Sequence, residues 1–146
     1  MMRYRFRLQQ VLRVRTIERD QAVGEVARAR AEVARAERRT AEARRLFESM
    51  PAPSGADVHE LRSQMRVRSL LVDAIAAAQV AEAQQRVVLE ECLSLWTEAD
   101  KKVRLLEELD VRARERHEAT VLAAEQQELD DLVTSRRAGA QAGAAS

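Results

Sequence analysis

Two histidines, one cysteine and a few paired acids are the side chains here that could serve catalysis or metal binding. A helical zinc site needs a second imidazole four residues from the first. His117 is followed by Glu118 and has no such partner, and His59 has none either. Cys92 is alone, so it can form neither an intramolecular disulfide nor a thiolate cluster. Its expected role is that of a small apolar residue on a helix face. No Gly-rich loop precedes a helix to cradle phosphate, and no Ser, Cys and His stand in a nucleophile context. Glu90-Glu91 and Glu107-Glu108 read as solvated helix faces. The residues therefore point to no catalytic centre, no cofactor and no metal.

Charge and apolar side chains are what remain. Residues 3–15, RYRFRLQQVLRVR, begin with Arg at every second position. Arg3, Arg5, Arg7, Arg13, Arg15 and Arg19, with Tyr4 and Phe6 between them, carry the groups that contact phosphates and stack on bases. The whole chain has a net charge of only +1, however, and a basic helix end docks equally well on an acidic protein surface. Tyr4, Phe6, Leu8, Val11 and Leu12 form an apolar cluster. It reads either as a clasp onto the C-terminal helix or as a plug for a partner's cavity. Alternation is a strand signal, but from Leu8 onward Leu8, Val11, Leu12, Val14 and Ile17 take helical spacing. A lone five-residue strand would leave its edges unpaired. The spacing predicts a helix from about residue 6, the alternating residues belonging to its frayed first turn.

The elements that carry these residues follow from composition. Gly occurs 4 times and Pro twice in 146 residues, aromatics are 3%, and Ala, Arg, Glu, Leu, Val and Gln dominate. This is the profile of long helices or coiled coil, because Ala and straight-chain residues lose little freedom in a helix. Residues 1–50 hold 13 Arg and 7 acids (+6); residues 51–146 hold 12 Lys+Arg and 17 acids (−5). Two segments so charged attract if they lie side by side. A basic start with no apolar run behind it is not a secretory signal, and LLVDAIAAAQVAEA is too short and too broken to span a bilayer. A soluble, intracellular protein is expected.

Pro51 and Pro53 lie in SMPAPSGAD, the one strong breaker before the C-terminal tail. Asp57, with Glu60 three residues on, reads as an N-cap with a capping box. On the first segment Leu8, Leu12, Ala22, Val26, Ala29, Val33, Ala36, Ala43 and Phe47 form a heptad stripe interrupted by Arg15, Arg19 and Thr40. On the second, Val67, Leu71, Ala74, Ala78, Ala81, Val88, Cys92, Leu95, Ala99, Leu106, Leu109 and Ala113 do so, interrupted by Gln85 and Lys102, with Trp96 just off the line. Narrow, Ala-rich stripes suit a two-helix seam.

The fold expected is all-α: a long antiparallel two-helix coiled-coil hairpin with one or two short helices near the turn. The first helix spans about 6–49, or roughly 65 Å; an unbroken second helix would run about 120 Å. LRSQMRVRS (61–69) misses the heptad phase, so a break is expected there. Turn and short helices then occupy about 50–70, a long helix about 71–135, and a disordered tail 136–146. Phe47 should face residues near position 80.

Phe6, Leu8, Gln9, Val11 and Leu12 (F-x-L-Q-x-V-L), followed by Arg13, Arg15 and alternating charge, resemble the opening of the flagellar FliJ family. So does L-x-x-W-x-E-x-x-K-K-x-R, present as Leu93, Trp96, Glu98, Lys101, Lys102 and Arg104, with Glu115-Arg116 beyond. The likeness covers the chain up to the tail. It implies a non-enzymatic component of the flagellar type III export apparatus, an antiparallel coiled coil similar to the stalk subunit of rotary ATPases. The end bearing both termini would sit in the hexameric export ATPase, FliI, and promote its activity; Arg3, Arg5, Phe6, Arg7 and Leu8 belong to that end. The family also contacts the export-gate protein FlhA and is linked to export chaperones. The gate row falls here on Val67, Leu71, Ala74 and Ala78, with Val67 where an aromatic is expected and Ala78 where a polar residue is. The resemblance places the protein in the cytoplasm, peripheral at the inner face of the cell membrane through its partners. The near-neutral charge of the whole chain leads to no nucleic acid being expected. A generic structural or adaptor coiled coil, including a homodimer with seams pairing between chains, is the alternative. A nucleic-acid-binding hairpin is the third reading.

Overall fold

The computed structural model describes residues 3–55 and 57–145. Two helices account for nearly all of them: α1, Gln9–Glu48, and α2, Val58–Ala144. No strand occurs among the described residues. The all-α hairpin is therefore the fold, and the expected short helices are not part of it. α2 starts at Val58 and passes through 61–69 without interruption. Residues 58–138 contain neither Gly nor Pro. A residue out of heptad phase, as Leu61 is, becomes an exposed side chain and does not break the hydrogen-bond ladder. Helix also continues to Ala144, where a disordered tail was expected.

By contact density the chain forms two units, Thr16–Asp100 and the remainder. Thr16–Asp100 holds the turn. The α1 end closes with bonds from Ser49 N to Arg45 O (2.9 Å) and Met50 N to Phe47 O (3.2 Å). Asp57 caps α2: its Oδ1 accepts from the His59 amide at 3.3 Å, two residues on, rather than from the Glu60 amide as the expected capping box would have it. Ser54 and Gln64 exchange two hydrogen bonds of 3.1 Å, amide to Oε1 and Nε2 to carbonyl, pinning the loop to the first turns of α2. Arg68 donates to the Pro51 carbonyl (3.2 Å) and lays its guanidinium 5.1 Å from the Phe47 ring. Phe47 thus faces residue 68 rather than the neighbourhood of 80, because α2 begins to pair directly after the loop.

In this unit Val26, Ala29, Val33, Ala36 and Thr40 of α1 are buried, and Arg19, Ala22, Ala43 and Phe47 along the same stripe are partly covered, as are Leu12 and Arg15 of the stripe in the other unit. The α1 heptad is as expected. Thr40 donates its hydroxyl to the Ala36 carbonyl at 3.1 Å, so its burial strands no polar atom.

The α2 stripe is different. Leu71, Ala78, Gln85, Cys92 and Ala99 are partly covered as expected, but Ala74, Val88 and Leu95 are exposed. Ile75, Leu89 and Trp96 are covered in their place. In the second unit Val103 is fully buried while Lys102 is exposed. Steps of four and three simply follow one another in the opposite order from that expected. Adjacent apolar pairs such as Val88-Leu89 and Leu95-Trp96 fit both orders, so α1 decides which member turns inward.

The second unit sets residues 3–15 against α2 from Lys101 onward. Cover on α2 ends at Val121, and everything from Leu122 to Ala145 is exposed. No helix among the described residues is long and apolar enough to cross a membrane.

Candidate functional site

Helix α1 begins at Gln9, three residues later than expected. Residues 3–6 are not helical, 7–8 form a turn, and the Gln9 amide donates to the Phe6 carbonyl at 3.2 Å. Burial alternates along this segment: Tyr4 and Phe6 are half-buried, while Arg3, Arg5 and Arg7 are exposed. The alternation read as a frayed helical turn is thus a two-sided non-helical segment. Its aromatic side is covered by α2, and its backbone forms no sheet ladder.

Tyr4 makes the attachment. Its hydroxyl donates to Asp110 Oδ1 at 2.5 Å and lies 3.2 Å from the Asp110 carbonyl oxygen. The other carboxylate oxygen accepts from Arg114 at 3.3 Å, one helical turn on. The Arg114 guanidinium also lies 5.2 Å from the centre of the Tyr4 ring, and the His117 ring tilts against that ring at 5.5 Å and 53°. Partial burial raises the phenol pKa above its usual value. The Asp110 carboxylate, which accepts the proton's hydrogen bond and repels a phenolate, raises it further, and Arg114 opposes both.

Among the residues expected at the ATPase end, Arg3, Arg5 and Arg7 are therefore exposed. Phe6 lines a groove with Leu109, Ala113 and Thr120. Leu8 is 36% exposed beside it. Nothing in the sequence assigned a role to Asp110 or Arg114, and His117 was marked only as lacking the second imidazole of a zinc site. A Tyr in a basic arm gives no signal of its distant partner, since 106 residues separate Tyr4 from Asp110.

The gate row behaves otherwise. Val67 is 47% exposed and Ala74 is exposed, whereas Leu71 and Ala78 turn partly toward α1. These four share one helical face that flanks the seam, so the freely accessible members are Val67 and Ala74. No group of three or more His, Cys, Asp or Glu among the described residues is placed to hold a metal ion.

No curated protein and no solved structure matches the chain. A protein-family model does match, over residues 4–142, which takes in the segment from Tyr4, all of α1 and α2 as far as Ala142. Its description is "Flagellar FliJ protein". The residues that suggested this resemblance, from Phe6 to Arg104, all fall within the match, and the chain belongs to the flagellar FliJ family.

Proposed function

We propose that this component of the flagellar export apparatus works as a non-enzymatic stalk, inserting the unit that carries residues 3–15 into the hexameric export ATPase and promoting ATP hydrolysis there. The observation that carries this reading is the exposure of Arg3, Arg5 and Arg7 beside half-buried Phe6. A basic row of this kind suits an acidic-lined opening, held by charge and a few apolar contacts rather than deep burial. Such holding is specific in register yet weak enough for turnover. The same row could meet nucleic acid, but Tyr4 is engaged by Asp110, Arg114 and His117 and is not available to stack on a base.

The gate row supports a second contact in the same apparatus, with Val67 and Ala74 offering the accessible part of an FlhA-binding face. Export chaperones are further partners on this reading. The protein then works in the cytoplasm, held at the inner face of the membrane only through its partners. Reversing Arg3, Arg5 and Arg7 to Glu together should abolish stimulation of the purified ATPase; stimulation equal to wild type would refute the stalk assignment.

A further inference from the structure

We propose that Tyr4, Asp110 and Arg114 are positioning residues for docking: they clasp the terminal segment so that Arg3, Arg5 and Arg7 present one cationic row to an acidic protein surface. The proposal rests on the ATPase reading above and adds to it the residues of α2 that make the row possible. In a helix, 3.6 residues per turn would place Arg5 about 160° around the axis from Arg3, so the three charges could not share a face. In the clasped segment burial alternates instead, with Arg3, Arg5 and Arg7 exposed on either side of half-buried Tyr4 and Phe6.

The clasp is what keeps the segment from becoming a first helical turn. Tyr4 is held through both of its features. Its hydroxyl is bonded to Asp110 at 2.5 Å, and its ring is packed against the His117 ring and the Arg114 guanidinium. Arg114 in turn holds the second oxygen of Asp110 at 3.3 Å, which fixes the carboxylate that receives the phenol. None of these groups needs to touch the partner. They pre-order the segment, so that less conformational freedom is lost when the arginines engage.

The test uses the full chain with Tyr4→Ala, Asp110→Ala and Asp110→Asn, each checked by circular dichroism for unchanged helix content. Two quantities are measured: the rate of trypsin cleavage after Arg5 and Arg7, and the affinity for the purified hexameric export ATPase. Tyr4→Ala and Asp110→Ala should be cut faster and bind about tenfold more weakly. Asp110→Asn keeps an acceptor oxygen for the phenol and should restore both toward wild type, a rescue that loss of packing alone would not produce. Cleavage of Tyr4→Ala at the wild-type rate would overturn the clasp. Wild-type affinity in Tyr4→Ala and Asp110→Ala, with binding lost in the Arg3/Arg5/Arg7 charge reversal, would overturn positioning and leave the ATPase reading standing. Wild-type affinity in the charge reversal itself would remove the ATPase reading.

Discussion

Arg86 of α2 reaches across to α1, its Nη2 lying 3.1 Å from Glu37 Oε1, and the same nitrogen is 2.6 Å from Glu82 Oε1 one turn earlier on its own helix. Glu82 is the better covered of the two acids, so the fork ties a half-hidden carboxylate to an exposed one on the facing helix. Exposed pairs of this kind gain little because water screens them and two long side chains must be held still.

Glu37→Ala and Arg86→Ala should each cost no more than about 1 kcal/mol, with a coupling of about 0.2–1 kcal/mol in the double-mutant cycle. The coupling should shrink as salt is raised. Urea unfolding of the four proteins at two salt concentrations measures it, and a coupling well above that range would mean that the pair is more deeply desolvated than the geometry indicates.

Burial predicts a sharp contrast on α2. Val103 is 0% exposed and Leu95 is 68% exposed, although heptad reading put Leu95 on the seam and gave the neighbouring seam position to Lys102. Val103→Ala should destabilise by about 1–3 kcal/mol through lost burial and the space left behind. Leu95→Ala should change stability by no more than about 0.5 kcal/mol. The reverse order in denaturant midpoints would show that α2 packs in the other phase.

Thr40 is buried, but its hydroxyl bonds only to its own helix, at the Ala36 carbonyl. That carbonyl already belongs to the helical ladder, so removing the hydroxyl strands no partner. Thr40→Val should therefore leave stability within about 1 kcal/mol of wild type, on the stabilising side. A clearly destabilised variant, read by thermal unfolding, would mean that the hydroxyl has a partner across the seam.

Tyr4 is the only tyrosine, so phenolate absorbance reports on it alone. Its pKa in the folded protein is raised from the ordinary value of 10.0 by partial burial and by Asp110. A raised acid contributes stability that is complete below its unfolded pKa and is lost as pH climbs through the folded value. The clasp should therefore hold at neutral pH and loosen in the alkaline range above about 10. Asp110→Asn should bring the titration midpoint down, since it removes the charge that repels the phenolate. A midpoint unchanged by that substitution would refute the Tyr4–Asp110 contact.

Much of this was legible from residue types. Pro51 and Pro53 located the turn, Asp57 the start of α2, and the spacing from Leu12 to Phe47 the buried stripe of α1 with Thr40 in place. The phase of α2 was hard to read, because Ala74-Ile75, Val88-Leu89 and Leu95-Trp96 are neighbouring apolar pairs that satisfy either order of three and four, and only Lys102-Val103 favours the observed one. At Arg3–Arg7 the clasp of Tyr4 and Phe6 onto the C-terminal helix was legible as one of two readings, whereas the non-helical backbone of the clasping segment was not, because the apolar spacing from Leu8 onward is helical.

The sequence by itself determined two helices, a proline-rich bend between them and the side of α1 that is covered, because backbone propensity and breaker chemistry act over a few residues and are written locally. It determined the family as well, through motifs of the same local kind. Only the tertiary structure decided that Trp96 and Val103 face inward while Leu95 faces water, and that Tyr4 finds Asp110. Those outcomes depend on what stands opposite in space, and the opposite residue lies far away in the chain, where no short-range pattern records it.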